Sequence, residues 1–416
     1  MSVENNVPEI RFNGFSGEWE EYPLSTFINS MDAGVSVNSG DRPANESEFG
    51  ILKTSCVTNG VFEPNENKIV FKAEEINRLK EPVSENTIII SRMNTPALVG
   101  ANAYIGKSFS NYFLPDRLWA AKPTSVGDLK FIAYILGSDK GRLALSELAT
   151  GTSGSMKNIS KTSVLRLKFR APLDQEQTQI GNTFQKLDNL INQHQQKHNN
   201  LSNIKKSMLE KMFPKQGETI PEIRFNGFSG EWVLRSWRDT VDISTNMVDP
   251  RSSQYGELFH VGPGNIESFT GMFYNNVLKV KDSNLISGKF HFNKGDIIYG
   301  KINPQLAKYV IAPFEGLASA DAYVLSAKNG VVQNYLYAIL QTEDFYKYTV
   351  SVSSRTGMPK INRDELNIYS YLSPDEAEQQ RIGNYFQKLD ALINQHQQQI
   401  IKLNNIKQAC LSKMFV

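Results

Sequence analysis

QIGNTFQKLDNLINQHQQ, residues 179–196, returns as RIGNYFQKLDALINQHQQ at residues 381–398. In the first copy a seam runs through Ile180, Phe184, Leu187, Ile191, His194, His198, Leu201, Lys205, Met208 and Met212. In the second it runs through Ile382, Phe386, Leu389, Ile393, His396, Ile400, Leu403, Lys407, Cys410 and Met414. The steps alternate between three and four residues, the spacing of a heptad seam. Asp174 and Asp375 stand where a carboxylate favours a helix start, and Pro172, Pro214 and Pro374 punctuate the boundaries. Each helix should run about 38 residues, roughly 57 Å at 1.5 Å per residue. Two such helices in one chain predict an antiparallel coiled coil, with a polar seam at its histidines.

A second block is also written twice. PEIRFNGFSGEWE at 8–20 comes back as PEIRFNGFSGEWV at 221–233. Between these faithful borders the two copies diverge, and only short segments still align. At a spacing of 209, IIISRMNT (88–95) lies over IIYGKINP (297–304); FIAYIL (131–136) lies over YLYAIL (335–340), and SGSMKNIS (153–160) over RTGMPKIN (355–362). Runs such as NTIIISR and GDIIYGK, bounded by Gly, Asn and Pro, read as strands. YLYAILQTEDFYKYTV reads as one amphipathic helix packed on them. The expected fold is therefore α+β: two mixed α/β domains, residues 1–173 and 214–373, in a pseudo-two-fold arrangement. Two long antiparallel coiled-coil helices, residues 174–213 and 374–416, separate them. A duplicated frame around divergent inserts suggests one mechanical role performed twice and two different targets recognised.

Composition is that of an ordinary globular chain, 40% hydrophobic and 21% charged over 416 residues, long enough for two or more cores. MSVENNVPEI has no basic, then apolar, leader pattern, and no stretch has the ~18 apolar residues that a bilayer span needs. Only Cys56 and Cys410 occur, which fits a reducing compartment. A cytoplasmic protein with no membrane association is expected. The net charge of +2 neither demands nor excludes nucleic acid.

Catalytic motifs are lacking. There is no GxGxxG and no GxxxxGK[ST]. Asn303-Pro304-Gln305-Leu306 lacks the second proline and the aromatic of an adenine methyltransferase motif. His260 and His291 have no nucleophile elbow near them. His194 and His198 stand at metal-ligand spacing, but no third ligand adjoins them and the counterpart of His198 is Ile400. A polar layer fixing helix register accounts for them better, and no metal site is expected. The basic residues are more informative. Lys157, Lys161, Arg166, Lys168 and Arg170 form a run without an acid, which alone would be a solvated face. Yet Arg92 aligns with Lys301, Asn94 with Asn303, and Lys157 and Lys161 lie opposite Lys360 and Arg363. Lys and Arg suit phosphate or guanine, and Asn suits adenine. Ser153, Gly154, Arg355 and Gly357 lie in loops that would let backbone approach phosphate. The candidate DNA contacts are Arg92, Asn94, Lys157, Lys161, Lys301, Asn303, Arg355, Lys360 and Arg363.

The whole chain resembles the DNA-specificity (S) subunits of type I restriction–modification systems. The resemblance rests on the paired PEIRFNGFSGEW starts, the two IGNxFQKLDxLINQHQQ helices ending in KSMLEKMF and KQACLSKMF, and segments such as DIIYGKINP and ASADAYVLS. It implies two target-recognition domains, each reading one half of a split, asymmetric site in double-stranded DNA. The repeated helices would set the gap and help to dock two methyltransferase (M) subunits, with Phe184, Leu187, Ile191, Leu201, Met208, Phe386, Leu389, Ile393 and Leu403 at the coiled-coil and subunit interface. Restriction (R) subunits would complete the complex. S-adenosylmethionine, ATP and Mg²⁺ would serve the partners, and this chain would bind no cofactor and hold no catalytic residue. Base contacts cannot be carried over, because the inserts vary within the family. Other readings are a self-sufficient methyltransferase or nuclease, and a coiled-coil adaptor without a DNA role. If the helices are a ruler, four residues inserted near Gln195 should lengthen the gap by about one base pair.

Overall fold

A computed structural model describes residues 6–58, 60–150, 156–353 and 357–416. The chain forms two units, residues 1–193 with 399–416, and residues 194–398. Neither coincides with one copy of the repeat: each takes the start of one long helix and the end of the other.

In the first unit a four-stranded antiparallel sheet has the order Asn102–Ile105, Thr87–Ser91, Leu118–Pro123, Ile28–Ala33. All five residues of Thr87–Ser91 are buried. Side chains alternate across a strand, so Ile88 and Ile90 enter the core with Phe131 and Ile132, while Ile89 enters a second core with Ala103 and Leu118. That explains an unbroken apolar run in an antiparallel sheet: both faces are covered. A second sheet orders Asn67–Ile69, Gly50–Leu52, Phe109–Phe113 and Pro82–Val83, with one parallel pair between Gly50–Leu52 and Phe109–Phe113.

The second unit repeats this wiring. Its first sheet runs Val241–Ile243, Ala322–Ala327, Ile297–Gly300, Tyr309–Ile311. Ile297 and Tyr299 face one core and Ile298 the other. Its second sheet has five strands and again one parallel pair, Phe259–Val261 with Gly316–Ala318. The expected single helix over YLYAILQTEDFYKYTV is two, Gln333–Ile339 and Glu343–Ser353. Thr342 breaks it: its hydroxyl donates to the Ile339 carbonyl and accepts the Phe345 N–H. Ser138 acts alike in the first unit, between Leu129–Gly137 and Asp139–Glu147.

The faithful blocks meet at one junction in each unit. Arg11 of the first PEIRFNGFSGEW grips Glu176 through two bonds of 2.7 Å, and Arg224 of the second grips Glu378 in the same way. The Gln177 carboxamide accepts the Asp128 N–H and donates to Pro172 O; Gln379 does so with Val332 and Pro374. A Cβ on Gly181 would lie 2.9 Å from Phe131 N, and one on Gly383 2.7 Å from Tyr335 N. Glycine there lets a crossing helix start touch the long helix.

The long helices span Asp174–Lys211 and Glu376–Lys413, 38 residues each. Asp375 caps the second, accepting the Glu378 N–H at 2.9 Å, whereas Asp174 is itself the first helical residue. They pair antiparallel within each unit. In the first, Phe184 meets Phe415 and Asp188 meets Lys407 at 2.6 Å; in the second, Lys205 meets Asp390 at 2.5 Å and Phe213 meets Phe386. The two lysines interrupting the seam are thus the cationic halves of duplicate cross-helix ion pairs. Phe184, Phe386, Leu389 and Ile400 are buried. Leu187, Ile191, Leu201, Met208, Ile393 and Leu403 are half-buried, since there little beyond the partner helix covers them. Among the described residues no helix is long and apolar enough to cross a membrane.

His194 pairs not with His198 but across the helices, its Nδ1 2.9 Å from Nδ1 of His396. One ring must donate and the other accept, so the pair is held together only while at least one Nδ1 is bare. Burial, then His194, Lys197 and His198, hold the His396 pKa below its ordinary 6.5. The unfolded chain therefore takes up this proton first, and the pair's stabilisation is lost as the pH falls below about 6.5. His396→Ile should flatten the decline of Tm between pH 7.5 and 5. An unchanged slope would assign the acid sensitivity elsewhere.

Candidate nucleic-acid interface

The aligned cations sit at the same strand end in each unit. After Thr87–Ser91, Arg92 donates its N–H to Arg117 O and accepts the Ile159 N–H at 3.0 Å. Lys301, after Ile297–Gly300, donates to Asp321 O and accepts the Ile361 N–H, also at 3.0 Å. Each charge rests on an aromatic ring. The Arg92 guanidinium lies 5.9 Å from the Trp119 centroid and the Lys301 ammonium 5.5 Å from that of Tyr323. Arg92 Nε is buried without a hydrogen-bond partner. A buried donor left bare costs free energy, and such groups recur where a ligand supplies the missing acceptor.

The loop before each long helix returns to this point. Met93–Asn94 pairs with Lys157–Asn158, and Ile302 bridges Lys360. This register corrects one alignment. Asn158 opposes Met93 as Lys360 opposes Ile302, so Lys157 matches Pro359, whose carbonyl accepts the Asn303 N–H. A one-residue slip in a strand reverses the side chain's face, so Lys157 and Lys360 are not equivalent. Lys161 and Arg363 do match, each one residue after a helix cap, Ser160 and Asn362.

The candidates differ in what their side chains are free to do. Lys161 and Lys360 are exposed, Arg92, Lys157, Lys301 and Asn303 half-buried. Lys161 stands near Asp32, whose carboxyl is held below its usual range by the Ser30 hydroxyl, Lys122 and, more weakly, Lys161. Arg363 is committed to the frame, donating to Ile243 O at 2.6 Å and Ser244 O at 3.0 Å. Asn94 is buried, with its carboxamide bonded to Ser91 and the Thr95 N–H. Asn303 takes a left-handed conformation, φ 52°, at the start of a tight turn over Pro304–Leu306. Ser153, Gly154 and Arg355 lie outside the described residues. Sequence reasoning overlooked Trp119 and Tyr323, the platforms under the cations; an aromatic at both aligned positions was the signal available.

A profile of the type I restriction modification DNA specificity domain matches residues 16–203 and 260–405. The chain belongs to that family. The specificity subunit of the EcoDI type I restriction enzyme of Escherichia coli is 29% identical over 212 residues, 49% of this chain and 46% of its own length. The HindI specificity subunit of Haemophilus influenzae is 30% identical over 134 residues, 30% of this chain and 28% of its own. These alignments span less than half of each relative. A crystal structure of the type I restriction–modification S subunit from M. genitalium shares the fold, with a TM-score of 0.63 at 15% identity over 99% of both chains. In this type I specificity fold the two matched stretches carry the paired strand ends at Arg92 and Lys301.

Proposed function

We propose that this chain is the DNA-reading subunit of a type I restriction–modification complex. Each unit reads one half of a bipartite, asymmetric site, and the helix pair sets the gap and docks two methyltransferase subunits. The observation that carries this is the cation on an aromatic platform at the same strand end of two otherwise divergent units, in a chain of this family. Arg92 suits guanine, because a guanidinium presents two parallel donors that match O6 and N7. Lys157, Lys161, Lys301 and Lys360 serve phosphate or base, while Asn94 and Arg363 hold the frame. Restriction subunits complete the complex, and the partner subunits use S-adenosylmethionine, ATP and Mg²⁺ in the cytoplasm.

Methylome sequencing of cells carrying the complex tests this. Two unlike half-sites separated by a fixed gap are expected, and methylation without sequence preference would overturn the reading. The ruler needs a matched insertion. Asp188–Lys407 and Lys205–Asp390 pin both ends of the helix pairing, so four residues added near Gln195 alone must break one of them. Four residues inserted after both Gln195 and Gln397 should widen the gap by about one base pair and leave the half-sites unchanged.

A further inference from the structure

We infer that the second unit recognises a thymine through an apolar tip, with its 5-methyl group packed on Leu306 and Met358. The inference rests on the DNA-reading role proposed above and adds the chemistry of one contact.

Three non-glycine residues of one surface spot have left-handed backbones: Phe269 (φ 65°), Asn303 (φ 52°) and Ala307 (φ 43°). Asparagine tolerates this, but alanine and above all phenylalanine do not adopt it without cost. The three are coupled. Phe269 N–H donates to Ala307 O at 3.0 Å, and Leu306 and Ala307 close the turn onto Asn303 and Pro304. The Tyr309 hydroxyl holds Phe269 O at 3.1 Å, and the Tyr346 hydroxyl holds Gln305 O at 3.3 Å. Strain fixed by so many bonds is a mark of a functional site.

What the strain presents is apolar. Phe269 is 53% exposed, Leu306 40% and Met358 70%. Met358 precedes Pro359, whose carbonyl holds Asn303 N–H, so it borders the same turn. Lys301 and Lys360 flank the spot, and neither has a carboxylate partner among the described residues. An apolar tip between two uncompensated cations complements a polyanion carrying an apolar group. On duplex DNA the apolar group facing the major groove is the thymine methyl. Among the described residues the first unit has no such spot. Its equivalent, Asn94-Thr95-Pro96, contains no left-handed residue, and Asn94 is buried.

The test uses the complex with its methyltransferase subunits and a duplex carrying the mapped site. Replacing thymine by uracil, one position at a time, removes only the methyl. At one thymine of the second half-site this should weaken specific binding about fourfold, the worth of one buried methyl. Leu306→Ala and Met358→Ala should weaken binding to the thymine duplex and shrink the difference between thymine and uracil. Uracil in the first half-site should act equally on wild type and variants. Uracil tolerated at every second-half-site position, or discrimination that survives both substitutions, overturns the inference while the DNA-reading role stands. If the wild-type complex shows no preference for any sequence, that role itself fails.

Discussion

Glu378→Ala should destabilise the second unit by about 3–5 kcal/mol, the usual cost of removing one partner from a buried ion pair. The Glu378 side chain is 1% exposed, and Arg224 meets both its oxygens at 2.7 Å while also donating to Gly230 O and Ser229 O. Without the carboxylate, a guanidinium that cannot shed its proton keeps only its two backbone acceptors in a half-buried site. Glu176→Ala should do the same to the first unit through Arg11, whose partner is equally buried. The charge rather than the shape is responsible, so the double change Arg224→Met with Glu378→Leu should recover most of the loss. Denaturant unfolding measures each. A loss below about 1 kcal/mol for Glu378→Ala would show that the pair contributes little beyond packing.

Phe415→Ala should cost the first unit about 3–5 kcal/mol through lost burial and the cavity left behind. Its ring lies 5.5 Å from Phe131, 5.6 Å from Phe184 and 6.5 Å from Trp19, and the residue is 6% exposed. These partners come from three separate stretches of chain, so no neighbour can slide in to fill the hole. Phe415→Leu keeps most of the volume and should cost far less. The counterpart Phe213, against Trp232, Tyr335 and Phe386, is half-buried, so Phe213→Ala should cost less than Phe415→Ala. Equal losses would mean that burial is not what separates the two sites.

The frame was legible because it is periodic and written twice. The heptad steps locate both helices to within a few residues, and runs such as NTIIISR mark strands, although not that both faces of the strand are covered. What was not legible is pairwise. Lys205 and Lys407 look like faults in an apolar seam until Asp390 and Asp188 are found opposite them. Nothing local in PEIRFNGFSGEW announces that its arginine closes on a glutamate some 150 residues further on. The candidate interface was half legible. Charge and alignment bring Arg92 and Lys301 forward, but the strand register separates Lys157 from Lys360, burial takes Asn94 out of reach, and two backbone carbonyls hold Arg363. The left-handed turn at Asn303 depends on three segments holding one another, which no single stretch encodes.

The two junctions differ in one respect that bears on how such a chain can be written. Lys211 O accepts the Ile223 N–H at 2.9 Å, and the Lys211 ammonium sits 2.9 Å from Glu222. Lys413 O accepts the Ile10 N–H at 3.0 Å, with its ammonium 3.5 Å from Glu9. The first closure joins neighbours along the chain, the second joins parts 403 positions apart, and the bonds are the same. The same closure therefore forms whether its two segments are neighbours along the chain or far apart in it. Cutting the backbone between Phe213 and Pro221 should accordingly leave the second unit's closure intact, since the first unit makes the same bonds without such a link.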